Sequence, residues 1–332
     1  MAGVKALRKI QGGAETTKGT AVVATFLWRG KGTIEDQREI VHADEDIGYL
    51  SGVDRTYSPK VMAVLDMEDV ESTFEQLPYV FEAGVKSETP AQDGSGSGYI
   101  YEYSFPTTAA NTIKTYTLEG GDNQQAREME YSFVSDFTLS GAPGGSIMVS
   151  SKWSGRQVSN VSFTGSIAVP AVEEMLFQKS KLYLDAAGGT IGTTQATSTF
   201  LGFNLNVRTG LVPVFTGDGN LYFTFDKNTG PEITCEVTFE HDTTGVAEIA
   251  NFEAETARQM RIMIEGTAFT TAGTTYTYKT TIIDLAGKWE TFSKIGEQDG
   301  NDIVTGTLRA RYDSTAALFA ELTVVNALSA LT

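Results

Sequence analysis

Apolar and polar residues alternate with a period of two along most of this chain, the mark of strands with one buried face. Tyr99, Tyr101, Tyr103 and Phe105 share a face over 99–105. Tyr131, Phe133, Phe137 and Leu139 do the same over 131–139, interrupted only by Ser135. Phe203, Leu205 and Val207 oppose Asn204, Asn206 and Arg208, and Ile233, Cys235, Val237 and Phe239 oppose Thr234, Glu236, Thr238 and Glu240. Leu221, Phe223 and Phe225 mark another strand, and Leu308, Ala310 and Tyr312 oppose Arg309 and Arg311. Such alternation predicts antiparallel sheets with one buried and one wet face. Gly217-Asp218-Gly219-Asn220 and Asp299-Gly300-Asn301-Asp302 supply turn residues that tolerate positive φ.

Helical periodicity is rare. Val70, Phe74, Leu77 and Phe81 predict a helix over 69–83, with Ser72 and Glu75 as a capping box and Pro78 kinking or shortening it. Val246, Ile249, Ala250 and Ala257 predict a second over 243–257, capped by Thr243 or Thr244. A third, short one is expected over 171–177 after Pro170. One helix per sheet unit makes a mainly β fold, a β-sandwich or barrel with one flanking helix per unit.

The chain also echoes itself. GGAETTKGTAVVATFL, from Gly12, returns as GGTIGTTQATSTFL, from Gly188, with Phe26 and Phe200 lying 174 positions apart. The two main helical patterns keep that spacing, and Val134 in YSFVSDFTLS matches Val304 in NDIVTGTLRA 170 apart. A unit written twice is the reading this supports. The first domain is expected over 1–160, a connecting segment with a short helix over 161–187, and the second domain over 188–332.

The 332 residues suffice for two cores of ordinary size. The single cysteine, Cys235, rules out an internal disulfide framework and reads as a small buried hydrophobe. No apolar run is long enough to span a membrane, and MAGVKALRKIQGG is too short and polar for a signal peptide. Net charge is −17, the reverse of the basic footprint that clasps nucleic acid. Such a chain either never meets DNA or meets it without sticking.

Candidate chemistry is thin. His42 and His241 sit in no triad or zinc spacing, and HADED around His42 satisfies no cation-ligand pattern. Asp299–Asp302 lacks the remaining ligands of a calcium loop and reads as a turn. Gly94, Gly96 and Gly98 form a flexible loop, with no strand before and no capped helix after to make a phosphate cradle. Trp28, Trp153 and Trp289 read as core anchors. Neither catalytic residues nor a cofactor or metal site is expected. A long acidic stretch over 33–50 carries Glu35, Asp36, Glu39, Asp44, Glu45 and Asp46; loops this long in compact domains are usually functional or disordered.

From Tyr278 the chain reads YKTTIIDLAGKWETFSKIGEQDGNDIVTGTLRARYDSTAALFAELTVV. That segment resembles the C-terminal region of tail tube (major tail) proteins of long-tailed non-contractile bacteriophages. YTLEGGDNQQAREMEYSFVSDFTLSG and the opening ETTKGTAVVATFLW are similar to the same family. The resemblance implies a β-sandwich flanked by one helix, whose copies join sheets into a β-barrel around a lumen. Rings then stack into a tube in the virion tail, assembled in the host cytoplasm. A long arm reaches the next ring, and genome DNA crosses the lumen without specific binding.

The chain departs from single-domain members by holding two tandem tail-tube-like units, so three chains would close a pseudo-sixfold ring; six chains is the alternative if the repeat is illusory. Other tail proteins, such as the tape measure, terminator and distal tail protein, are the implied further partners. The stretch 33–50 is then the candidate inter-ring arm, expected in the first unit only, since the matching region 203–224 is shorter in loop. A net-negative lumen is expected, with Glu236 and Glu240 as candidate lining residues. The competing reading is a carbohydrate-binding or adhesin-like β-sandwich on a virion or cell surface.

Overall fold

A computed structural model describes residues 2–52 and 54–332. The fold is mainly β, built from antiparallel ladders. The first half contributes β1 (Lys9–Ala14), β2 (Phe26–Trp28), β3 (Gly32–Asp36), β4 (Val41–His42), β5 (Thr56–Tyr57), β6 (Ala63–Glu71), helix α1 (Leu77–Gly84), β7 (Ala91–Gln92), β8 (Tyr99–Ser104), β9 (Tyr116–Gly121), β10 (Ala126–Gly141), β11 (Met148–Gly155) and β12 (Val158–Val161). The second contributes β13 (Ser180–Ala186), β14 (Gln195–Ala196), β15 (Phe200–Arg208), β16 (Leu211–Val214), β17 (Phe225–Asn228), β18 (Glu232–Glu240), helix α2 (Thr243–Glu253), β19 (Arg258–Ala268), β20 (Tyr278–Phe292), β21 (Gly296–Gln298), β22 (Asn301–Ala310) and β23 (Ala320–Asn326).

The pairings of the two halves match ladder for ladder. In the first, β1 pairs with β2 and β9, β9 with β10, β10 with β11 and β12, β11 with β6, and β6 with β3. In the second, β13 pairs with β14 and β19, β19 with β20, β20 with β22 and β23, β22 with β18, and β18 with β15. Each half throws out a small hairpin at the same point, β4–β5 in one and β16–β17 in the other. Each lays its helix on the equivalent strand, α1 on β10 and α2 on β20. Even an irregularity is copied: the β10–β11 register shifts between Val134 and Asp136, and the β20–β22 register between Trp289 and Thr291. A bulge is a specific local feature, so its recurrence at the same place in both sheets aligns them residue by residue.

That alignment makes the cores comparable. Across the first sheet, Ile34, Leu65, Trp153 and Val134 stand side by side, and across the second, Leu205, Cys235, Leu308 and Trp289. All eight are buried. The tryptophan has moved from the third position to the fourth, and Cys235 occupies the place of Leu65. A core accepts such exchanges when total volume and polarity are kept.

The two halves are not separate bodies. Strand β10 pairs along its outer edge with β15, Leu139 opposite Leu205, and β8 pairs with β23, Tyr101 opposite Val324. The result is one eight-strand sheet in the order β3-β6-β11-β10-β15-β18-β22-β20, and one hydrophobic core spans both halves. Strand β10 serves two neighbourhoods by bending at Tyr131 (φ 55°), whose backbone N–H donates to the Glu15 carboxylate at 2.7 Å.

Several local expectations are corrected. Residues 69–71 finish β6 rather than start a helix; α1 begins at Leu77, and Pro78 opens it, where its missing N–H costs nothing. Ser72 and Glu75 form no capping box: Ser72 meets the Met175 sulfur, and Glu75 accepts from Lys279 and from the Glu173 N–H. The cap of α2 is Asp242, which accepts from the N–H groups of Thr244 and Gly245. Residues 171–177 are extended and bridge Thr73 and Ser146; only a 3₁₀ turn follows at Phe177–Lys179. Strand β13, within the expected connector, opens the second set of ladders. The glycine-rich loop at 94–98 is pinned, because Asp93 accepts from the N–H groups of Thr274, Thr275 and Tyr276. Val134 corresponds to Trp289, not Val304, and Ile34 to Leu205, 171 positions apart, so the sequence echo lies three residues out of register with β3 and β15.

Candidate functional surface

The eight-strand sheet has one face on the core; the other is covered at Val64, Ser154 and Phe133, where the segment 209–231 packs, and bare beyond them. Cross-strand partners place the bare-face side chains in rows. One row runs Thr33, Asp66, Lys152, Asp136, Arg208, Glu232. The next runs Ser150, Thr138, Asn206, Thr234, Arg309, Lys288, and a third Ser140, Asn204, Glu236, Thr307, Thr291. Every one of these side chains is polar and none is fully buried, and the half-buried Met148 extends the third row beside Ser140. The seam between the halves is hollowed. A concavity of about 420 Å³ lies there, lined by Asp136, Thr138, Asn206, Arg208, Glu232, Thr234 and Arg309.

The charges on this face are mixed but unevenly committed. Arg309 is held by Glu232 at 2.6 Å and Glu290 at 3.1 Å, and Arg208 meets Glu232 at 3.5 Å. Glu236 and Asp136 make no ion pair among the described residues, and Lys152 makes none either. Glu236 is exposed between Asn204 and Thr307, while Glu240 is half-buried beside Ile303 at the end of β18. Both candidate acids from the sequence thus belong to this face.

The acidic stretch is divided by the fold. Glu35 and Asp36 belong to β3, at the edge of the sheet. The excursion itself runs over 37–62 and carries Glu39, Asp44, Glu45 and Asp46. Its ion pairs are local: Asp36 with Arg38, Glu45 with Arg55, and Glu39 with Lys60. Apolar side chains stand out on it, with Tyr49 and Leu50 exposed by 74% and 111% and Ile40, Ile47 and Tyr57 by more than half. The expectation that only the first half carries an excursion is corrected, since 209–231 leaves the second half at the equivalent place. The two differ in burial. The second folds back, with Leu211 and Phe223 packed on Ile113, Tyr131 and Phe133, and Arg156 donating to the carbonyls of Phe223 and Thr224. The strand expected from Leu221, Phe223 and Phe225 is corrected: β17 begins only at Phe225, and of the three only Phe223 is buried.

A buried polar cluster lies where the halves meet. All eight residues of α1 are buried. The Glu82 carboxylate accepts from Tyr116 Oη at 2.9 Å, and burial pushes its pKa up. Burial likewise raises Tyr103 and Tyr116, with the nearby Glu82 adding to it. In the second half Glu248 of α2 instead takes two bonds from Arg258, at 2.7 and 3.1 Å, and one from Trp289 Nε1.

Among the described residues, no group of three or more His, Cys, Asp or Glu is arranged to hold a metal. His42 lies exposed on β4, His241 N–H donates to the Asp302 carbonyl, and 299–300 is the turn between β21 and β22. Cys235 is buried, which raises its thiol pKa. No helix among the described residues is long and apolar enough to cross a membrane. No family model matches the chain, and no curated protein matches it.

Proposed function

We propose that this chain is a structural subunit of a phage tail tube, three copies closing a ring of six sandwich units whose inner sheet lines a channel for genome DNA. The observation that carries the reading is the join between the halves: two equivalent four-strand sheets meet edge to edge at β10–β15 and leave a hollowed polar face uncovered. Sheet edges are a hazard that a closed barrel removes, and a rotationally repeated join closes a ring. The bare face then becomes the channel wall. Hydroxyl, amide and carboxylate groups there, including Glu236 and Glu240, outnumber the four cations Lys152, Arg208, Lys288 and Arg309, two of which are held by Glu232, and the acidic balance of the chain opposes adhesion. The apolar tip of the 37–62 excursion is the arm that docks on the next ring, and further tail proteins cap the stack within the virion.

Electron microscopy of the purified protein tests the reading. Rings or hollow rods are expected, with a ring mass of three chains. Monodisperse monomers at all concentrations would refute it, and a six-chain ring would refute the pseudo-sixfold plan alone.

A further inference from the structure

The duplication says which edges meet between chains, and in what register. Within the chain, the outer edge of β10 meets β15: Asp136 opposite Arg208, Thr138 opposite Asn206, Gly141 opposite Phe203. The shared bulge equates Asp136 with Thr291, and the shared core row equates Leu205 with Ile34. Among the described residues, neither β3 nor the end of β20 past Gly287 has a ladder on its outer side. Resting on the tube reading for ring closure, we propose that the end of β20 in one chain, with Ser293 and Lys294 that follow it, pairs antiparallel with β3 and the adjoining Gln37 of a second copy, Thr291 opposite Gln37 and Ser293 opposite Glu35.

Two further observations fit a second copy at this edge. The first is hydrogen-bond parity. Ser293 donates its N–H inward to the Thr305 carbonyl, so alternation turns the N–H and C=O of Lys294 outward. On β3 the carbonyl of Ile34 also points away from β6, where Arg127 Nη1 donates to it at 3.3 Å. The proposed register sets Lys294 against Ile34, outward groups face to face; a slip of one residue would set inward groups against outward ones. Arg127 shields the edge of the lone chain and gives way when a partner strand arrives. The second is helix burial. Helix α1, at the internal join, is wholly buried, and a Cβ on Gly84 would stand 3.1 Å from Thr209 of the other half. Its counterpart α2 buries only Gly245 and Glu248 and leaves Val246 exposed, as a helix does when its neighbour is another chain. Neither apolar pair of the internal join is reproduced, since Lys294 stands where Leu139 does and Asp36 where Val207 does.

Disulfide trapping tests the register. Ser293 and Glu35 form a non-hydrogen-bonded pair, with Cα atoms about 4.5 Å apart, within disulfide reach. The double variant E35C/S293C, oxidised under assembly conditions, is expected to give covalent dimers and closed trimers that reducing agent returns to monomers. Cys235, being buried, contributes none. The slipped pair E35C/T291C places the Cα atoms about 8 Å apart and is expected to cross-link poorly. Hydrogen exchange on the unaltered protein is the second measurement: amides in 32–36 and 290–296 gain protection between monomer and ring. Rings whose slipped pair cross-links as well as the proposed one, or whose edge amides gain no protection, overturn the register and leave the tube intact. Protein that neither forms rings nor cross-links overturns both.

Discussion

Replacing Tyr49 and Leu50 with serine separates the stability of the chain from that of the tube. Both side chains project from the excursion at 37–62 and are largely exposed in the lone chain. Surface substitutions of that kind change folding stability by no more than about 0.5 kcal/mol. Docked on a neighbouring ring, each side chain would contribute about 1.5–3 kcal/mol by leaving water. Losing both therefore costs about 3–6 kcal/mol per arm, and each 1.4 kcal/mol is about a tenfold loss in affinity. Under the proposed assembly every ring junction would hold one arm per chain, so the penalty would multiply around the ring. The expected outcome is unchanged thermal unfolding of the monomer, rings that still close, and a critical concentration for rods raised by at least about a hundredfold. Sedimentation measures the last and electron microscopy counts rod lengths. Phe81→Ala serves as the contrast, a core cavity that lowers stability by about 3–5 kcal/mol. Rods of normal length at normal concentration from the Tyr49/Leu50 variant would show that the excursion does not stack rings.

Three further outcomes follow from named contacts. Glu82 is buried with its pKa raised, so the folded state holds its proton to higher pH than the unfolded chain; stability from this group is present at acid pH and declines as pH rises through the folded pKa. Glu82→Gln keeps an acceptor for Tyr116 and is expected to raise the midpoint of urea unfolding near pH 7 but not below pH about 4; an equal gain at both pH values would contradict the linkage. Glu248→Ala strands Arg258 and Trp289 Nε1 and is expected to cost about 3–5 kcal/mol in the same assay, with much of it returned by also changing Arg258 to leucine. Asp136→Lys with Glu236→Lys puts two cations on the bare face, and assembled rods should then retain DNA in a salt-sensitive way; unaltered DNA passage and retention would remove that face from the channel wall.

The legible part of this fold was local. Strict alternation located β8, β15, β18 and β22, because a strand with one wet face writes its burial into every second residue; in β10 the bulge at Ser135 instead puts Tyr131 and Phe133 in a different cluster from Phe137 and Leu139, which were expected on the same face. The bare sheet face was legible in the same way: Asn204, Asn206, Thr234, Glu236 and Thr238 are the polar half of that pattern. Helix α1 was blurred because it is buried on all sides and carries no polar stripe, so its apolar periodicity ran on into β6. The pairing of β10 with β15, and so the single core, could not be read at all. Each edge alternates correctly whether its partner lies in the same chain, in another chain or in water.

The repeat itself illustrates why a duplicated unit can hide. Its most constrained row, Ile34, Leu65, Trp153 and Val134, shares no residue in order with Leu205, Cys235, Leu308 and Trp289. Packing constrains the summed volume and polarity of a row, not the identity at each place. The spacing between equivalents also drifts, from 171 at Ile34 and Leu205 to 155 at Val134 and Trp289, because the turns between ladders differ in length. Register is what survives: a one-residue slip would turn a strand's whole apolar set toward water. The bulges at Ser135 and Glu290 therefore persist where side chains have not. For the same reason the edges at β3 and the end of β20 matter more than their composition. They are the places where one half has a partner strand and its equivalent, in a lone chain, has none, and where the proposed assembly would have a second copy supply a strand of matching register.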